Sequence, residues 1–127
     1  MARRKPPKKQ QPERLKAPTS EYTDAEGNVL ALRGSMTPAT RLKYAAALAG
    51  EGSSAASTRE DAWQRAVEFL FEHLAVRWEL AGVGGSSINR QRELLERFRV
   101  ATPEERAWVR DVLREHCEEN FPDIKAP

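Results

Sequence analysis

The chain has 127 residues, with 21 Lys and Arg against 19 Asp and Glu, a formal net charge of +2. That length suits one domain, and 39% apolar with 31% charged residues leaves little core to spare. No apolar run approaches the ~20 residues that cross a bilayer, no apolar h-region follows the basic start, and the single cysteine, Cys117, excludes an intramolecular disulfide and a cysteine-clustered zinc site.

The charge is unevenly spread. Residues 1–16 carry seven bases (Arg3, Arg4, Lys5, Lys8, Lys9, Arg14, Lys16) and one acid, Glu13, so the remaining residues, with 14 bases and 18 acids, are net negative. Residues 1–19 also hold four prolines, with Leu15 the only large apolar side chain after Met1. Such a segment buries too little to offset its ordering entropy and is expected to be a disordered leader.

Residues 20–33 change character. Asp24-Ala25-Glu26-Gly27-Asn28 is a turn signal between Tyr22-Thr23 and Val29-Leu30-Ala31-Leu32, which predicts a β-hairpin with Gly27 at positive φ. A first helix is expected from the Thr37 cap and Pro38 to Gly50, followed by a small-residue linker at 50–57. Ser57-x-x-Glu60 reads as a capping box opening a second helix. Trp63, Val67, Leu70, Leu74, Trp78 and Ala81 recur at helical spacing, which predicts one helix as far as Ala81, stopped by Gly82, Gly84 and Gly85. A third helix is expected from Ile88 to Arg99. A fourth runs from the Thr102 cap, with Glu105 closing its box, to Asn120 as a left-handed cap. The fold this predicts is mainly α: a bundle of about four helices over residues 37–120, with the hairpin packed on it, in a single domain at 20–127.

Chemistry is sparse. Gly82-Val83-Gly84-Gly85 lacks both the lysine and the preceding strand of a phosphate loop. His73 and His116 fall in no metal motif, and His116 reads as a surface or interfacial side chain. Cys117, beside Glu118 and Glu119, has nothing to favour its thiolate. The carboxylates alternate with arginines at helical spacings, as on solvated faces. The expectation is therefore a protein that is not an enzyme and takes no cofactor or metal. It would bind a protein partner, with Trp63, Phe69, Phe71, Trp78 and Leu80 as the residues expected to contribute.

Two resemblances sharpen that reading. Ala81-Gly82-Val83-Gly84-Gly85-Ser86-Ser87-Ile88-Asn89-Arg90 resembles the turn and recognition-helix start of helix-turn-helix regulators, although Trp78 stands where the motif has a small residue. That resemblance implies an alternative, DNA binding through Ser86, Ser87, Asn89, Arg90 and Arg92, with Arg3, Arg4, Lys5, Lys8 and Lys9 as a basic arm toward nucleic acid. The second rests on Glu26-Gly27-Asn28-Val29-Leu30-Ala31-Leu32-Arg33-Gly34, then Met36-Thr37-Pro38 with Arg41, Leu42 and Tyr44, then the aromatic-rich stretch Trp63–Trp78. In that order of elements the chain resembles the tail assembly chaperones of long-tailed bacteriophages. The resemblance implies a cytoplasmic factor in a bacterial host, without a membrane partner, that covers a tape-measure-like or other helical protein. A structural virion or adaptor role and self-association are the further alternatives.

Overall fold

The computed structural model describes residues 18–50, 59–82 and 84–127. Along them run β1 (Thr19–Thr23), β2 (Val29–Arg33), α1 (Pro38–Leu48), α2 (Arg59–Leu74), β3 (Ala75–Leu80), β4 (Ser86–Ile88), α3 (Gln91–Arg99) and α4 (Pro103–Asn120). The strands form one antiparallel sheet in the order β1-β2-β3-β4. The expected mainly α bundle is thereby corrected. The described residues are 53% helical and 19% strand, and the hairpin is half of a four-stranded sheet. The leader as far as residue 17, the linker from residue 51 and the Ser57 cap lie outside the described residues.

The correction has one main source. The stripe from Trp63 to Ala81 is not one helix: α2 stops at Leu74, and Ala75 opens β3 with no loop between them. Residues 75–80 read Ala-Val-Arg-Trp-Glu-Leu, in which Val76, Trp78 and Leu80 alternate with Arg77 and Glu79, the period of a half-buried strand. Trp78 stands four residues after Leu74 and two after Val76, so it satisfies both periods. What decides between them is β2. Leu30, Ala31 and Leu32 are all buried, so the polar backbone groups on the side away from β1 need a partner. β3 supplies it, pairing Val29 with Glu79, Leu30 with Trp78 and Ala31 with Arg77. The register shifts between Ala31 and Leu32, which leaves Val76 as a bulge residue and brings Ala75 opposite Leu32.

The third helix is corrected in the same way. It begins at Gln91, and Ser86–Ile88 is β4, with Ile88 opposite Trp78. The chain reaches β4 through Gly84 at φ 85° and Gly85 at φ 50°, conformations open to glycine at little cost. The turn between β1 and β2 is built on Asp24. Its Oδ1 accepts from the backbone N–H groups of Glu26 and Asn28, both at 2.9 Å, and Gly27 takes φ 89°. Asn28 links this turn to the far end of β3, since its Oδ1 accepts from the Ala81 N–H at 2.8 Å.

The sheet has two unlike faces. Tyr22, Leu30, Trp78 and Ile88 stand in register across the four strands on the core face. Trp78 is 1% exposed; its ring meets Phe71 of α2 edge-on at 5.7 Å, and Phe71 stacks on Phe98 of α3 at 4.7 Å. On the opposite face Glu21, Ala31 and Arg77 stand in register, and Arg77 pairs with both Glu21 and Glu79. The long aliphatic stem of Arg77 and its two acids cover Ala31, which is buried although it faces away from the helices.

Short-range signals also fix α1 and α4. Thr37 Oγ1 accepts from the Thr40 N–H at 3.1 Å, and Pro38 begins α1. Thr102 and Glu105 form the reciprocal capping box of α4, at 3.1 and 2.9 Å. The other carboxylate oxygen of Glu105 accepts from Arg97 at 2.7 Å, and that guanidinium holds the Glu105 carboxyl below the usual range. Arg97 in turn lies 5.2 Å from the centre of the Trp78 ring. Asn120 is not a left-handed cap. It is the last residue of α4, and Phe121 follows as the cap at φ −136°.

Trp78→Ala removes the side chain on which β2, β4, α2 and α3 converge. It is expected to destabilise the protein by about 3–5 kcal/mol in urea denaturation, the range for a large aromatic lost from a core.

Candidate functional site

The described residues offer little for catalysis. No three His, Cys, Asp or Glu side chains among them come together as metal ligands. Burial pushes the Cys117 thiol up to about 11, with Glu118 adding to the effect, so its reactive thiolate is scarce at neutral pH. No helix of the described residues is long and apolar enough to cross a membrane.

The residues expected to touch a partner divide into two groups. Phe71 and Trp78 lie wholly inside the core and present no surface. Trp63, Phe69 and Leu80 are half-buried. Arg110 of α4 stacks 5.3 Å from the centre of the Trp63 ring. Phe69 stacks on His73 at 4.1 Å and lines a cleft of about 420 Å³ with Ala47 and Leu95, beside the Arg99–Glu68 ion pair at 3.1 Å. Leu80 sits at the end of β3, opposite Ser86.

The segment compared with a helix-turn-helix has a different geometry. Trp78 is in a strand, Ser86 and Ser87 are in β4, and Asn89 and Arg90 are in the link to α3. Arg92 lies in the first turn of α3, and all five candidate DNA-contacting residues are exposed. Because strands flank the turn, this segment presents no recognition helix crossed by a preceding one. Arg3, Arg4, Lys5, Lys8 and Lys9 lie outside the described residues.

Two large apolar side chains stand open among the described residues, Val100 just beyond α3 and Leu42 on α1, both away from the expected set, and only Leu42 adjoins a groove. Leu42 is 73% exposed, and Ala39, Ala45 and Ala49 beside it are exposed as well. Tyr44 is the one buried residue of this 11-residue helix. Next to this face is a groove of about 390 Å³, walled by Tyr44, Ala45 and Leu48 on one side and by Asp123, Ile124 and Lys125 on the other. Long-range polar contacts build it. The Tyr44 hydroxyl donates to the Lys125 carbonyl at 2.6 Å, and Arg41 reaches both oxygens of Asp123, at 3.1 and 3.2 Å. Arg41 also stacks on the buried Phe121 ring at 5.3 Å, and the Arg114 Nε donates to the Pro127 carbonyl at 3.0 Å. These contacts fold the segment after α4 back along α1. The only sequence signal for the groove is Leu42 on a helix of alanines. The other wall, Phe-Pro-Asp-Ile-Lys, has no period from which its docking could be read.

A second polar cluster is closed to solvent. His116 is 0% exposed, which corrects its reading as a surface residue. Its Nε2 is 2.8 Å from the Arg33 carbonyl, its Nδ1 is 2.9 Å from the Tyr22 hydroxyl, and Asn120 Nδ2 is 3.2 Å from Nδ1. Burial holds the imidazole below its ordinary range, against the opposing pull of the Arg33 carbonyl and Glu119. The signal for this was present: His116 follows Val109, Val112 and Leu113 on the inner stripe of α4, seven residues after the first.

No family model matches the chain, and no curated protein or solved structure matches it either.

Tyr44→Phe removes the hydroxyl that binds the Lys125 carbonyl and leaves that carbonyl without its donor. The variant is expected to lose about 1 kcal/mol in chemical denaturation, the usual value of one such bond, and its C-terminal amides are expected to exchange faster with solvent while those of α2 hold.

Proposed function

We propose that this protein is a non-enzymatic protein-binding or assembly factor that takes up an apolar helical partner on the α1 face, as a tail assembly chaperone of the bacteriophage type would. The observation that carries the reading is Leu42, a large apolar side chain 73% exposed beside an open groove with an apolar floor. Isolated exposed leucines are ordinary. Here the leucine stands on a face whose other members are alanines, so a second helix can approach the backbone closely and place its own large side chains in the groove.

The energetics suit a transient hold. Fully burying one leucine is worth about 1.5–3 kcal/mol. A partner helix that covers Leu42 and fills the groove gains several times that, less the cost of association. The cover is therefore reversible, as a transient hold requires. Phe71 and Trp78 cannot serve as anchors, because they hold the sheet to the helices. Of the other three, Phe69 shares a cleft with Ala47 of α1 and remains as a flanking contact.

The test is Leu42→Asp. Because the side chain is exposed, the fold is expected to hold within ±0.5 kcal/mol. When the protein is co-expressed with a long helical protein encoded beside it, the unmodified chain is expected to keep that protein soluble. The variant is expected to bind it at least tenfold more weakly, about 1.4 kcal/mol. A chain that instead binds duplex DNA, with affinity falling steeply as salt rises, contradicts this reading.

A further inference from the structure

The cluster around His116 joins three elements through one ring. Nε2 faces a backbone carbonyl, which can only accept, so Nε2 carries the hydrogen and donates to Arg33 at the end of β2. Nδ1 is then a bare lone pair. Two donors point at it, the Tyr22 hydroxyl of β1 and the Asn120 amide of α4. The ring is thus satisfied as a neutral imidazole with every partner where it stands.

A proton on Nδ1 has no acceptor already in place. The Tyr22 hydroxyl can turn to accept, but it then gives up the bond it donates to Nδ1 and must send its hydrogen toward Ser20 of the same strand. The Asn120 amide nitrogen also donates to the His116 carbonyl at 3.1 Å, so turning that amide over sets one oxygen against another. The surroundings do little to repay an imidazolium. From β1 the ring faces Tyr22, edge-on at 5.7 Å, and from the segment beyond α4 it faces the Phe121 ring at 5.9 Å, on which Arg41 stacks. Glu115 and Glu119 of α4 act on the cluster from exposed positions, and no carboxylate of the described residues hydrogen-bonds the ring.

β1 depends on this cluster more than any other strand does. It pairs on one side only, and no residue of it is fully buried. Tyr22 is its one side chain packed against the core. Among the described residues its remaining ties are the ladder to β2, the Glu21–Arg77 pair on the outer face and the Gly34 N–H to Pro18 carbonyl bond at 2.9 Å. We propose that His116 is an acid-sensitive latch for β1: protonation of its buried ring releases the edge strand and uncovers the β2 edge while the helices and β2–β3 stay folded.

The direction follows from linkage. The released state binds the proton more readily than the latched state, so the latch is fully closed above pH ~6.5, the ordinary histidine value, and opens as pH falls below it. Hydrogen exchange of the full chain at pH 7.5 and pH 5.0, corrected for intrinsic rates, reads the latch. Protection of Thr19–Thr23 is expected to fall at least tenfold at pH 5.0, with α2 and β3 changed less than twofold. His116→Gln keeps a donor for the Arg33 carbonyl and cannot take up this proton, so its β1 protection is expected to be the same at both pH values. Tyr22→Phe removes the β1 side of the latch without touching the ring. It is expected to show weakened β1 protection already at pH 7.5 and no further loss at pH 5.0. Unchanged β1 protection in the unmodified chain overturns the proposal, and so does equal loss over β1, α2 and β3. A tenfold acid loss that persists in Tyr22→Phe overturns it too.

Discussion

The structure depends on the burial of one indole at a crossing of strand and helices. Trp78 stands in register with Leu30 and Ile88, meets Phe71 of α2 at its edge and carries Arg97 of α3 over its ring. Its Nε1 has no hydrogen-bond partner among the described residues, and packing and the cation hold the ring. Arg97 passes the constraint on. It binds Glu105, whose second oxygen caps the Thr102 N–H, so the start of α4 is positioned from the same point. The rest of the core, with Val67, Leu70 and Leu74 of α2 and Val109, Val112 and Leu113 of α4, packs in one cluster with it.

That arrangement explains what could be read from residues 19–127 and what could not. The caps at Thr37 and Thr102 and the Asp24 turn are made by residues within four positions of one another, and those signals are local in the sequence. The boundary between α2 and β3 is different. Up to Leu74 the stripe has one reading, but beyond it Trp78 fits a helix and a strand equally well, and the arbiter, β2, lies more than 40 residues earlier. The groove beside α1 is harder still, since Tyr44 and Lys125 meet across 81 positions with no periodic pattern on the Lys125 side. His116 is the intermediate case. Its place on the inner stripe of α4 was legible, while its partners at Tyr22 and Arg33 were not.

The same division separates structural from functional aromatics. Aromatic content singled out Phe71 and Trp78 as contacts for a partner, yet the sheet consumes both. Apart from Val100, what the described residues leave open is a modest aliphatic surface, Leu42 among alanines, on the helix that buries a single residue. This shifts the proposed binding surface from the middle of the chain to α1 and the segment that folds back beside it. A surface of that size suits contact with one helix of a longer protein rather than a permanent interface, which is larger and more apolar.

The fold rests on the stripe through Trp78 breaking at Leu74 and continuing as a strand paired with β2. Backbone NMR of the uniformly labelled chain tests it most directly. Helical Cα shifts are expected through Leu74, extended shifts over 75–80, and cross-strand backbone NOEs between Leu30 and Trp78. Helical shifts running unbroken from residue 59 to residue 81, with i to i+3 NOEs across residues 74–78, would contradict it.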